Sequence, residues 1–85
     1  MKYSLYIKPS AKKELFDLPV KVLKKVDEAI ISLKANPRPI GCKKLKPFDL
    51  FRIRVGSYRV VYQIDDKRRK VVIIGIGHRR EIYRK

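Results

Sequence analysis

The sequence predicts a single small α+β domain in the order β-α-α-β-β-β, a meander sheet packed against an N-terminal helical hairpin. Three observations carry this. Two runs of β-branched and aromatic residues meet at Gly56-Ser57, a pair suited to a two-residue hairpin turn. A third apolar run, Val71 to Ile76, follows after a short polar turn. Between residues 9 and 36 the apolar residues recur every three or four positions, which is helical spacing. At 85 residues the chain suits one domain, residues 1–85, and an apolar content of 45% suffices for a core.

Lys2 to Lys8 alternates, with Tyr3, Leu5 and Ile7 on one face, and reads as a strand of about seven residues. Lysines at both ends suit a sheet edge. Pro9-Ser10 opens a short helix, with either Ser10 as its cap or Pro9 as its first residue. It runs to about Leu18, with Ala11, Leu15 and Leu18 on one side. Pro19 begins a second helix, whose stripe is Val22, Leu23, Val26, Ala29, Ile30 and Leu33. Asn36-Pro37 ends it. Residues 38–48 read as a loop containing Lys43, Lys44 and Lys46.

In the central hairpin a Gly-first turn sets the register: Val55 opposite Tyr58, Arg54 opposite Arg59, Ile53 opposite Val60, and Arg52 opposite Val61. Alternation puts Phe51, Ile53, Val55, Tyr58, Val60, Tyr62 and Ile64 on one face and Arg52, Arg54 and Arg59 on the other. Two arginines directly opposite each other repel. A surface that binds a polyanion has a use for that arrangement, because phosphate removes the repulsion and each guanidinium holds it bidentately. Asp66 to Arg69 forms a second turn. Val71 to Ile76 reads as a strand well covered by the helices, with a bend or bulge at Gly75 and Gly77.

The net charge of +15 points to nucleic acid, an acidic protein, or both. Eight of the nine arginines lie between Arg52 and Arg84, and twelve of the fourteen lysines lie outside that span. The C-terminal third therefore reads as the recognition site and the lysines as long-range attraction. Cys42 is alone, which excludes a disulfide framework and a CxxC metal site. No apolar run reaches the ~18 residues of a membrane span and no signal-peptide core is present, so a cytoplasmic protein without membrane contact is expected. No cofactor or metal is expected: carboxylate pairs for two-metal or paired-acid hydrolysis are lacking, since Asp65 and Asp66 are turn residues.

The last residues add His78, Arg79 and Tyr83 to the candidates. His78 is the only histidine and titrates near neutrality, which suits an acid-base role, packing or an RNA contact. Tyr83 among arginines suits stacking of an unpaired base, or packing of the tail. What remains open to such a surface is metal-free RNA chemistry, in which the 2′-hydroxyl is the nucleophile and fixed arginines stabilise the added negative charge.

Residues 51–65, FRIRVGSYRVVYQID, followed by residues 71–83, VVIIGIGHRREIY, resemble the RelE branch of the RelE/ParE toxin superfamily. Ser10 to Leu15, Asn36-Pro37 and Lys44-Leu45 add to the resemblance, which spans nearly the whole chain. It implies a RelE-like fold and the toxin of a type II toxin-antitoxin system, a ribosome-dependent endoribonuclease that cuts messenger RNA in the ribosomal A site. It also implies inhibition by an acidic, RelB-like antitoxin that wraps the toxin, and binding of operator DNA through that antitoxin. Carried over by position, Arg52 and Arg54 match two basic residues of the family's active site, Arg59 the arginine of its Tyr-Arg-x-Val-Tyr strand, and Arg79 and Tyr83 its C-terminal arginine and tyrosine. Well-studied members carry lysines where this chain has Arg52 and Arg54, and arginine is a poor general base, which turns attention to His78. The ParE branch shares the fold but inhibits DNA gyrase without cutting RNA. A third reading is a toxin without activity that persists as a component of an antitoxin-bound repressor.

Overall fold

The computed structural model describes residues 2–45 and 50–78. Seven elements follow in order: β1 (Ser4–Ile7), α1 (Pro9–Phe16), α2 (Val20–Ser32), β2 (Lys43–Leu45), β3 (Leu50–Val55), β4 (Tyr58–Asp65) and β5 (Lys70–His78). The five strands form one sheet in the order β1-β5-β4-β3-β2. Strands β2 to β5 are antiparallel neighbours, and β1 joins the edge parallel to β5. Both helices cover one face. Ala11 and Leu15 of α1, and Val26 and Ile30 of α2 with Leu33 beyond it, are buried against Ile53, Val60, Tyr62, Val71, Ile73 and Ile76.

Pro9 takes the first helical position and Ser10 does not cap; Lys8 precedes the helix. The helix α1 ends at Phe16 rather than near Leu18, because Pro19 disfavours a helical residue before it. The helix α2 ends at Ser32, where Leu33 and Lys34 donate to the carbonyls three residues back and tighten the last turn. The first strand is four residues long, not seven.

The expected loop over 38–48 contains a strand. Lys43–Leu45 pairs with β3 and forms the second sheet edge. Three residues without a β-branched side chain carry no strand signal of their own, and the pairing partner makes the strand.

The strand β5 contains the expected irregularity. Val61 pairs with Gly75 but Tyr62 with Ile73, so Ile74 is an extra residue and the strand bulges there. The side chains that β5 buries in the core are accordingly Val71, Ile73 and Ile76, spaced by two and then by three. Where β1 gives way to α1, β5 loses its β1 neighbour while still paired with β4, and Glu14 of α1 accepts the Ile76 N–H at 3.0 Å. Replacing Glu14 by Ala should cost roughly 1 kcal/mol, the net worth of such a bond, visible as a lower urea midpoint at unchanged slope.

Candidate nucleic-acid interface

The hairpin register is the expected one. Gly56 has φ +61, which a side chain resists, while Ser57 keeps a negative φ, as a Gly-first turn requires. Arg54 therefore faces Arg59, and Arg52 faces Val61. On the face without helices these pairs extend into two rows. Lys43, Arg52, Val61 and Gly75 are successive partners in one, and Arg54, Arg59 and Gly77 in the next. The bulge brings both glycines to this face, so β5 contributes no side chain beside Arg59 and Val61. The result is a cationic shelf flanked by glycine backbone, buried at Gly75 and half-buried at Gly77. Lys43 belongs to this shelf and is exposed. Read as a loop residue it gave no sign of it; only the pairing of β2 brings it there.

The three arginines share the expected face but not the same environment. Arg54 is exposed and Arg59 half-buried. Arg52 is only 5% exposed, so the three do not form one uniformly accessible row. Alternation assigns a side chain to a face but does not say how much of that face is covered. Among the described residues no carboxylate forms an ion pair with Arg52 or Arg54. A buried cation is costly without a counter-charge, so an incoming anion gains most there.

His78 stands on the other face. It pairs with Tyr58, and the two rings meet edge to face at 5.9 Å and 77°. Glu14, Asp17 and Leu18 line the cleft beside it. The sheet separates it from the guanidinium groups of Arg54 and Arg59. Arg79 and Tyr83 lie outside the described residues. Among the described residues no group of three or more His, Cys, Asp or Glu is placed to hold a metal, and no helix is long and apolar enough to cross a membrane.

A polar tie holds the opposite end of the sheet to the segment after α2. Arg38 donates to both carboxylate oxygens of Asp66, at 3.2 and 2.9 Å, and lies 5.3 Å over the Phe51 ring. The Tyr3 hydroxyl donates to the same carboxylate at 2.7 Å. The buried Tyr62 hydroxyl donates to the Pro37 carbonyl at 2.8 Å. Arg38 first, then Tyr3, hold the Asp66 carboxyl down at about 2 from its ordinary 3.8. A depressed carboxylate stabilises the fold above its unfolded value and loses that as pH falls through the folded one. The contribution should fade between pH of about 4 and about 2, and Asp66→Asn should flatten that part of an acid-titrated melting curve.

Taken together these features define a small, strongly cationic α+β domain whose sheet carries both helices on one face and the arginine pair on the other. Comparison with known proteins narrows this. The family model described as ParE toxin of type II toxin-antitoxin system, parDE, matches residues 5–83. Toxin RelG of Mycobacterium tuberculosis is 34% identical, with all of both chains covered. The archaeal RelE-RelB complex from Pyrococcus horikoshii superposes with a TM-score of 0.84 at 29% identity, over 95% of this chain and 99% of that one. The toxin-antitoxin complex RelBE2 of M. tuberculosis gives 0.82 at 32% identity, over 93% and 100%. The chain belongs to the RelE/ParE superfamily of type II toxins, in its RelE-type branch.

Proposed function

We propose that this toxin is a ribosome-dependent, metal-independent endoribonuclease that cuts messenger RNA in the ribosomal A site. The observation that carries the reading is the facing pair Arg54 and Arg59, beside the buried Arg52, on the sheet face opposite the helices. A phosphodiester lying on the shelf meets the guanidinium groups of Arg54 and Arg59. The message supplies its own nucleophile. The 2′-oxygen attacks phosphorus in line, the 5′-oxygen leaves, and the arginines stabilise the charge gathering on the non-bridging oxygens.

In this reading Arg79 and Tyr83 act from the segment that follows β5, the arginine on phosphate and the tyrosine on an unpaired base. His78, on the opposite face, is out of reach of a phosphate held by these arginines, so proton transfer falls to the segment after β5; a pH–rate profile altered in Tyr83→Phe and unchanged in His78→Ala is the expected result. An acidic RelB-like antitoxin covers the cationic face and silences it, and the pair binds operator DNA through the antitoxin. The solved complexes of related RelE chains with RelB support such a partner.

A ParE-like gyrase inhibitor is the second reading, favoured by the description of the matching family model. Induction in growing cells separates the two. A ribonuclease toxin stops growth with shortened messages and intact chromosomes. A gyrase inhibitor stops it with DNA damage and full-length messages, and that result overturns the proposal.

A further inference from the structure

The face opposite the helices continues beyond the arginines to the β4–β5 turn, and that end is built as carefully as the first. The Asp65 carboxylate accepts the Arg68 N–H at 3.1 Å. Arg69 closes the turn at φ 51, and its carbonyl accepts the Ser4 N–H at 2.8 Å, tying the turn to β1. Asp66 is held by Arg38 and Tyr3. Both acids of the turn thus have partners, Asp65 within it and Asp66 outside it, while Lys67, Arg68, Arg69 and Lys70 are all exposed. Four consecutive cations fixed on a tethered turn repel one another and gain from a polyanion.

An aromatic ring lies beside them. Tyr6 pairs with Val72 and Val72 with Gln63, so Tyr6 is on the same face, one row from Lys70 and Ser4. Its ring is 48% exposed, and the Lys70 ammonium lies 5.5 Å from the ring centroid. Gln63, Val72, Lys67, Arg68 and Lys70 line a hollow of about 560 Å³ next to it, together with Ile64 and the two acids Asp65 and Asp66, whose carboxylates already accept from Arg68 and from Arg38 and Tyr3. Cations interleaved with an exposed aromatic ring are what single-stranded nucleic acid uses: bases stack on the ring and phosphates sit on the charges.

We infer that Tyr6, with Lys67, Arg68 and Lys70, forms a second RNA subsite on the face that carries Arg54 and Arg59. The Tyr6 ring takes an unpaired base, and Lys70 exchanges the ring for a neighbouring phosphate. From the row of Arg59 to that of Tyr6 the sheet spans about 13 Å along the strands and about 10 Å across them. One RNA strand can therefore cover both sites. The inference rests on the RNA-cutting reading, and the phosphates can belong to the message or to ribosomal RNA.

Binding rather than cutting tests it. Labelled single-stranded RNA of about eight nucleotides, within the ~4–16 typical of such sites, is titrated by anisotropy; vacant ribosomes are titrated in a parallel co-sedimentation arm. Tyr6→Ala should weaken binding about tenfold, and Tyr6→Phe should preserve it. Lys67→Gln with Lys70→Gln should flatten the salt dependence by about 0.7 in slope for each phosphate that is no longer neutralised. Weakening of oligonucleotide binding assigns the subsite to the message, and weakening confined to ribosomes assigns it to ribosomal RNA. Either outcome upholds it. Unchanged binding of both the tyrosine and the lysine variants in both arms overturns it. If the parent protein fails to cut messages yet these variants still lose RNA binding, the cutting reading fails and the subsite stands.

Discussion

Replacing Arg54 by alanine is expected to lower message cutting by roughly 10²–10³-fold, the usual cost of removing one fixed donor from developing charge. The same substitution should leave the fold as stable or more so. Arg54 is exposed and directly faces Arg59, and like charges in facing positions cost up to about 1 kcal/mol. Its removal should raise Tm by up to several degrees, since about 1 kcal/mol moves a domain of this size by ~4–8 °C. Added salt should shrink that gain, because screening already relieves the repulsion in the parent protein. Opposite signs in activity and stability are the signature of a charge kept for its ligand. A loss of both would instead make Arg54 structural. Arg54→Lys keeps the charge but loses the planar fork, and should fall between the two.

Tyr62→Ala is expected to remove a large part of the fold's stability and to lower its melting temperature steeply. Tyr62 is fully buried and is the largest residue in the core. Its ring stacks on Phe51 at 6.0 Å, and its hydroxyl holds the segment after α2 through Pro37. Loss of such a ring costs about 3–5 kcal/mol, against total stability of about 5–15 in proteins generally. Tyr62→Phe keeps the ring and strands the Pro37 carbonyl, for about 1–3 kcal/mol. Burial, foremost, pushes the Tyr62 phenol well above its ordinary 10.0. A raised phenol favours the neutral folded form, so its contribution is whole below about 10 and declines as pH rises beyond that. The Phe variant should lack this alkaline decline in urea midpoints.

How far the sequence exposes this design varies along the chain. The β3–β4 hairpin is legible to the residue, because Gly56-Ser57 fixes the turn and strict alternation then fixes every partner. The helical stripes are legible for the same reason of period. The strand β2 is not, since Lys-Lys-Leu has no intrinsic preference for it and becomes a strand only beside β3. The neighbourhood of His78 is hidden by one inserted residue. Counting by twos from the buried Val71 puts His78 on the arginine face; the bulge at Ile74 shifts the phase and moves it to the helix face, beside Tyr58. The same shift brings Gly75 and Gly77 to the arginines. Glycines hint that a strand bends, but the position of an extra residue depends on what the partner strand offers.

The central claim, RNA cutting on the ribosome, is tested most directly by primer extension on a defined message incubated with purified protein, with and without translating ribosomes at matched magnesium. The account predicts cuts at codon-phased positions when ribosomes are present, none without them, and their loss in Arg54→Ala. A message that stays intact with ribosomes present contradicts it.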